Sequence, residues 1–513
     1  MRQVETDVLI IGGGISAALL AEKLTEQHEV DVLVVEAGEH SAPFQDRQQR
    51  RHRYVSYGEN PWTDDHIHDQ SAEGIMSRSM VVGGQALHWG GVVPRFSPED
   101  FRLRSLFGVH TDWPIDYDML EPYYQEAEER IGAAGEQGPD PLDPRTSPYP
   151  MRAMPLTWTL ERLREWIDNA GIPIWTNPVA KNTEPWRGRN VCQRCDTCNI
   201  CPTGAKYSPD FTFAQLLKAE RIRLQTGTLI RRLELETGSD GIHAAIGRSY
   251  DDPDTDIVFR ARTFVLAGGY TWSPHLLMLS ANDRFPDGFA NSSGTLGRYM
   301  TGHRNVGAFV ELPMRLLPGM FNGHSLLSKY FQRPQLSGGP GLSNGRYVRH
   351  DFRVWESTVS RGPRLRNDSG RLLLGDDVMA DWKARTATGT TRLRSYYDVI
   401  PDRESRIVLD RAIANRFGDP MPRLEFRDAP VSRELRGHTE DRIRENFERV
   451  ARAGGGRVLR GAVDGTQDHP GGGCRMGNDP GDSVVDSWGR SHDHENLFEV
   501  GAPTLVSAGC NNG

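Results

Sequence analysis

The opening of the chain limits the fold more than any other stretch. A short apolar run rich in branched side chains, DVLII, reads as a buried parallel strand. It runs into Gly12-Gly13-Gly14-Ile15-Ser16-Ala17, a G-x-G-x-x-A turn. SAALLAEKLTEQ follows as a helix, then VDVLVVEAG as a second buried strand closed by Glu36. Strand, glycine turn, helix, strand and an acidic residue about 20 positions on is the order that cradles a dinucleotide. Gly12 permits the tight turn, Gly14 lets backbone approach a pyrophosphate, and Ala17 lets the helix pack closely on the sheet. The pyrophosphate then sits at a helix N-terminus, where unpaired N–H groups and the dipole favour it. Glu36 is expected to accept from a ribose diol. The turn alone would serve equally as a plain βα connection; the flanking strands and Glu36 favour the nucleotide.

Nothing in that turn separates NAD from FAD. Residues 263–280, TFVLAGGYTWSPHLLMLS, supply another buried strand ending in Gly268-Gly269, with a helix start at Ser273-Pro274. A late strand that returns to the first sheet and closes over the nucleotide points to FAD.

Charge narrows the partners. Lys plus Arg total 61 against 69 Asp plus Glu, a net charge of -8. Nucleic acid needs a basic face and is not an expected ligand. No stretch approaches the ~18 consecutive apolar residues of a membrane helix. The N-terminus lacks a charged lead before an apolar segment with a small-residue cleavage site. The six cysteines are unevenly spread, with Cys192, Cys195, Cys198 and Cys201 crowded together and Cys474 and Cys510 apart. That spread does not resemble a disulfide framework, and the expectation is a cytoplasmic protein in reducing surroundings.

Several segments together resemble the glucose-methanol-choline (GMC) oxidoreductases. They are the cradle with Glu36-Ala37-Gly38, the run MVVGGQALHWG at 80–90, LAGG…SP at 266–274, HPGGGCRMG at 469–477 and GCNNG at 509–513. WPIDYDMLEPYYQEAEERIG (113–132) and PDRESRIVLD (401–410) resemble the sugar-oxidising branch, closest to pyranose oxidases and bacterial glycoside 3-oxidases. The likeness runs end to end and is weakest over 310–390. It implies an α/β (α+β overall) architecture, a Rossmann-type FAD-binding domain interleaved with a substrate domain built on an antiparallel sheet. The FAD-binding domain is expected at 1–110, 185–300 and 455–513, and the substrate-binding domain at 111–184 and 301–454. Residues 221–262 read as a small antiparallel meander, and 451–461 as a helix end and a strand returning to the first domain.

The resemblance also implies roles. Gly83 and Gly84 fall in the flavin-contacting loop with His88 and Trp89. His88 is either a covalent link to the flavin methyl group or a hydrogen-bond partner of the ring. Oxidising a secondary alcohol removes a hydroxyl proton and a hydride, the hydride passing to flavin N5. The matching motifs put His469 as the base and Asn512 as the partner of the developing alkoxide. By composition alone His469 reads as a structural loop histidine and Asn512 as a turn residue. Tyr270 and Ala281-Asn282 depart from the family's second signature. Gly513 stands where the branch continues into a final helix, which would leave the flavin site of this sequence exposed.

Other candidates carry no motif. TRLRSYYD (391–398) and the glycine-rich 337–345 are expected to clamp a sugar, and His303 reads as a satisfied structural histidine. His66 and His68 read as an exposed polar loop. Cys192-x2-Cys195-x2-Cys198-x2-Cys201-Pro202 is one residue short of a ferredoxin-type run. Related sugar dehydrogenases hold an iron–sulfur cluster near this region, so cluster, bare thiols and zinc all stay open.

The activity these readings imply is FAD-dependent oxidation of a sugar or glycoside ring hydroxyl, C3 ahead of C2, to a ketone. Oxygen or another acceptor reoxidises the flavin. The alternative is a dehydrogenase subunit passing electrons through a cluster to a cytochrome or quinone. A binding protein using the cradle structurally is a third reading. Branch relatives are sometimes tetramers, and a 3-keto product would suit a partner deglycosidase.

Overall fold

The computed structural model describes residues 2–59, 79–236, 238–317, 325–333, 342–343, 346–355, 362–427 and 430–510. His66, His68, Asn512 and most of 337–345 lie outside the described residues.

β1 (Arg2–Ile11), α1 (Ile15–Gln27) and β2 (Val32–Val35) form the expected βαβ start. Then come α2 (Phe44–Tyr57), α3 (Leu103–Phe107), α4 (Tyr117–Ile131), β3 (Ala134–Gly135), β4 (Met151–Arg152), α5 (Trp158–Asn169) and β5 (Trp175–Thr176). Next are α6 (Pro209–Lys218), β6 (Arg223–Gln225), β7 (Thr228–Leu235), β8 (Ile242–Ser249), β9 (Asp256–Leu266) and α7 (Gly269–Leu279). They are followed by β10 (Thr301–Leu312), β11 (Ser325–Ser328), β12 (Leu342–Ser343), β13 (Arg346–Tyr347) and β14 (Phe352–Trp355). The rest are α8 (Asp376–Arg385), β15 (Gly389–Asp398), β16 (Arg406–Ala414), β17 (Pro420–Glu425), α9 (Pro430–Ala453), β18 (Arg457–Gly471) and β19 (Leu497–Glu499).

The first sheet runs β6-β2-β1-β9-β8-β7, with β19 also on β9. β2, β1 and the end of β9 are parallel and apolar on both faces, as a helix-covered sheet requires. β7, β8 and β9 form the expected meander, but it is fused to the main sheet, because β9 pairs β1 along its whole length. β9 has β8 antiparallel beside its first half and β19 parallel beside its end. The last strand of the chain is therefore delivered to the carboxyl edge, next to the Gly12 turn.

The second sheet runs β18-β10-β15-β14-β11-β5 and is antiparallel. Its two faces follow the strand alternation. Val306, Ala308, Val310, Leu393 and Val354 point to one side and pack with Leu160, Trp166, Phe447 and Val450 of α5 and α9. The intervening residues His303, Asn305, Arg353, Arg394, Tyr396 and Asp398 make the opposite face polar. One correction follows: the strand after 456 does not return to the first sheet. It extends to Gly471 and pairs with β10, because its partner edge, not its sequence, decides where a strand of that pattern docks.

No helix among the described residues is long and apolar enough to cross a membrane.

Candidate active site

Where β1 ends, Gly12 takes φ +112°, and a Cβ there would lie 2.5 Å from the Ala267 carbonyl oxygen and 3.0 Å from the Gly268 nitrogen. Only glycine allows the two βα turns to touch in this way. Gly14 precedes α1 with open space where a side chain would be and no side-chain cap, and the first turn holds no acidic residue. The free N–H groups of that turn are the anion cradle. Ala17 is fully buried against Ile10, Val34 and Val265.

Glu36 is buried, its carboxylate accepting from Gly13 N at 2.6 Å and Gly38 N at 2.8 Å. Burial pushes its carboxyl up to about 7, against the pull of those backbone donors. Gly83 N donates to the Gly13 carbonyl at 2.8 Å, and a Cβ on Gly84 would come within 3.4 Å of Gly14 Cα. The loop carrying His88 therefore lies directly on the cradle. Gly268 heads α7 and meets the same point. Gly12, Gly14, Ala17, Glu36, Gly83, Gly84 and Gly268 are thus brought together. An uncapped helix start beside a buried carboxylate fits the pyrophosphate and ribose of FAD.

Lys206 holds the His88 loop from below. Its Nζ donates to the carbonyls of Leu87 at 2.8 Å and Trp89 at 2.9 Å, the two residues flanking His88. Trp89 Nε1 donates to the Tyr207 carbonyl at 2.9 Å. Burial draws the Lys206 ammonium down to about 7 while Cys201 and Cys198 act in the opposite sense.

The cysteine run sits on the same loop. Its Cys201 sulfur accepts from Lys206 N at 3.4 Å, and Cys195 pairs with Thr197 Oγ1 at 3.1 Å. All four thiols are free, and among the described residues no three His, Cys, Asp or Glu side chains gather as a metal site. The arrangement of Cys192, Cys195, Cys198 and Cys201 does not fit a cluster. Two left-handed residues flanking Cys195, Arg194 (φ 50°) and Asp196 (φ 56°), turn the loop there.

His469 lies near the end of β18 at φ +49°, a left-handed conformation that histidine adopts sparingly and that marks functional sites. Its Nδ1 is 3.1 Å from Nδ1 of His303, and His303 Nε2 is 2.8 Å from the Ala508 carbonyl. A carbonyl only accepts, so His303 carries its proton on Nε2 and its Nδ1 is an acceptor when the ring is neutral. His469 must then donate from Nδ1, which leaves a lone pair on His469 Nε2. Burial draws His303 down to about 4, keeping it neutral. Burial foremost, with Arg353 and Arg394 nearby and His303 against its ring, holds His469 well below the ordinary histidine value. Tyr396 packs beside it at 5.6 Å between ring centroids.

The two parts of the site adjoin. Gly472 N donates to the Ala502 carbonyl at 2.9 Å, and a Cβ on the neighbouring Gly501 would meet Ser16 Oγ in the first turn of α1 at 2.5 Å. Ala508 bonds His303, and Trp113 Nε1 donates to Ser507 Oγ at 3.1 Å. The segment leading to Asn512 is thereby held against His303.

Tyr396 falls in the 391–398 stretch expected to clamp a sugar, whereas His303 and Lys206 were not singled out as site residues by the sequence. His303 offered one signal, a polar residue alternating with apolar ones along β10.

A nucleotide cradle joined to a neutral, tautomer-fixed histidine defines a dinucleotide-dependent alcohol oxidoreductase. A GMC oxidoreductase family model matches residues 401–512. The chain is 31% identical to the fructose dehydrogenase large subunit of Gluconobacter japonicus, covering 99% of this chain and 94% of that protein. It is 28% identical to paromamine 6'-oxidase of Streptomyces fradiae, over 96% of this chain and 86% of that one. Among solved structures, pyridoxine 4-oxidase from Mesorbium loti matches in fold with TM-score 0.60 at 18% identity, covering 98% and 95% of the two chains. The chain belongs to the GMC oxidoreductase family and is an FAD-dependent oxidoreductase acting on CH–OH groups.

Proposed function

We propose that this enzyme oxidises a ring hydroxyl of a sugar or glycoside to a ketone, C3 ahead of C2. The observation that carries the reading is the lone pair fixed on His469 Nε2 by the His303–Ala508 chain. Near-full-length similarity to a fructose dehydrogenase large subunit and to a paromamine 6'-oxidase supports a carbohydrate substrate. FAD, when bound, supplies the acceptor for the hydride. His469 takes the hydroxyl proton on Nε2 as the alkoxide develops, and Asn512 is its amide donor. His88 stands against the flavin ring, held by Lys206 on both sides. The two sheets support an FAD-binding domain interleaved with a substrate-binding domain, and free thiols at the six cysteines support a cytoplasmic setting.

Relatives named as oxidases and as dehydrogenases leave oxygen and a carrier as the two acceptors. The cysteines do not fit a cluster, so no electron step is assigned to them. A 3-keto product has an acidified neighbouring C–H, which suits an eliminating partner enzyme. An assembly of several copies accords with the branch.

The test is a visible spectrum of the purified protein, then anaerobic addition of a panel of sugars and glycosides. The expected result is a flavin spectrum that bleaches with sugar. A colourless protein that FAD cannot reconstitute, or a flavin that no sugar bleaches, defeats the reading. Colour that stays with acid-precipitated protein makes His88 a covalent link. Brown absorbance beyond the flavin bands would restore the cluster.

The pH profile follows from the sign of the His469 shift. A histidine held below its ordinary value is deprotonated at neutral pH and loses its base form only when acid passes the lowered value. kcat/KM should therefore stay flat from about pH 8 to about pH 6, with the acid limb below the free-histidine value of about 6.5. An acid limb at or above that value would remove His469 as the base.

A further inference from the structure

Asp398, the last residue of β15, is 7% exposed and stands in register with His303 of β10. Residues directly opposite on paired strands put their side chains on one face, within reach of a common neighbour. Here that neighbour is a single peptide unit. The Ala508 carbonyl accepts from His303 Nε2 at 2.8 Å, and the N–H groups of Ala508 and Gly509 face the Asp398 carboxyl. The Ala508 carbonyl and the Gly509 N–H are the two ends of one planar amide. A cross-strand pair therefore grips both ends of it, His303 by donating and Asp398 by accepting.

The surroundings leave this amide little freedom. Gly509 takes φ +64°, and a Cβ there would lie 3.1 Å from the Asp100 carboxylate. Cys510, next in the chain, is fully buried. The charged groups facing Asp398 are Asp100 and Arg349, which pair with each other at 2.9 Å. Beyond the two backbone N–H groups, neither Asp398 oxygen has a hydrogen-bond partner among the described residues. Accepting an N–H needs only an oxygen lone pair, which a carboxyl offers with or without its proton. The grip is therefore independent of the charge on Asp398.

Hydrogen bonds at the two ends of an amide polarise and strengthen each other. Direction matters more. While the Ala508 carbonyl points at Nε2 of His303, that ring keeps its proton there, and His469 keeps its own on Nδ1. If the amide turns away, His303 can carry its proton on Nδ1 instead. His469 Nδ1 then becomes the acceptor, and an N–H occupies Nε2 where the lone pair is needed.

We infer that Asp398 is a positioning residue: by holding the Gly509 N–H it aims the Ala508 carbonyl at His303, and so fixes the tautomer in which His469 Nε2 takes the substrate proton. This rests on the reading of His469 as the base and adds the group that sets its tautomer.

The experiment uses the FAD-loaded enzyme with ¹⁵N-labelled histidine rings, in which protonated and bare ring nitrogens resonate far apart. His303→Leu and His469→Asn assign the two rings. The wild type should carry its protons on His303 Nε2 and His469 Nδ1. Asp398→Ala should bring in the reverse tautomer of both rings. It should also slow anaerobic flavin reduction by D-glucose about tenfold at saturation, with half-saturation moved by less than about twofold. Asp398→Asn keeps an oxygen for the Gly509 N–H, so it should hold the single tautomer and stay within about threefold of the wild-type rate. Unchanged tautomers in Asp398→Ala overturn the inference. So does an Asp398→Asn enzyme as slow as Asp398→Ala, which would make the charge and not the acceptor the operative feature. If Asp398→Ala does not fold, the wild type decides: its Gly509 N–H should exchange with D₂O about 10³-fold or more slowly than in an open chain, and open-chain exchange overturns the inference. The tautomer signal needs no substrate, so the readings fail separately. A wild-type His469 protonated on Nε2 defeats the base reading itself. A flavin that neither D-glucose nor any other sugar or glycoside reduces defeats only the carbohydrate reading.

Discussion

His469→Asn should lower kcat/KM by about 10²- to 10⁴-fold with FAD content unchanged. Asparagine is the right replacement because it tolerates the left-handed backbone at φ +49°, so the loss reports the missing base, not a broken turn. His303→Leu tests the same chain one step back. It removes the acceptor that holds the proton on His469 Nδ1, so the ring is free to present an N–H to the substrate. The expected loss is about tenfold in kcat with little change in KM, since His303 touches the base and not the substrate. It should also move the acid limb of the pH profile, which a purely structural role would not. Equal losses in the two variants would mean that the pair acts as one unit. No loss in His469→Asn would place the base elsewhere.

Lys206→Met should weaken FAD binding by about 10- to 100-fold. Methionine keeps the length and bulk of the side chain but removes the ammonium that bridges Leu87 and Trp89. Each carbonyl left buried without a donor costs roughly 1–3 kcal/mol, paid by the loop that carries His88. Flavin fluorescence titration of the apoprotein measures the change directly. If the His88 bond to flavin is covalent, the same substitution should lower the flavin-to-protein ratio instead. Unaltered FAD content and affinity would show that Gly83, through its bond to Gly13, holds the loop unaided.

The opening βαβ unit is written locally. A G-x-G-x-x-A turn between two apolar runs, with Glu36 after the second, has few physical solutions, and β1, α1 and β2 stand where that pattern puts them. His469 was legible for a related reason: a histidine followed by three glycines and held in a family motif has a backbone no ordinary helix or strand would use. Where the chain goes next was less so. RVLRG after the last helix has the same alternation whether it joins the first sheet or the second, and only the available edge of β10 decides between them. The cysteine spacing left cluster, bare thiols and zinc open, and among the described residues the four sulfurs do not gather as a metal site.

Sequence alone therefore determined what short-range chemistry can determine: a dinucleotide cradle, an acid to close it, a flexible glycine loop with a histidine, and membership of a family. Only the tertiary structure decided what that histidine is bonded to. His303 lies 166 residues before His469 and Ala508 lies 205 residues after His303, yet the three form one hydrogen-bonded line. Arg353 and Arg394 are 41 positions apart in the sequence and become neighbours by strand register. A proton's location and a tautomer are properties of groups within a few ångströms, and the chain's order says nothing about them until the sheets close.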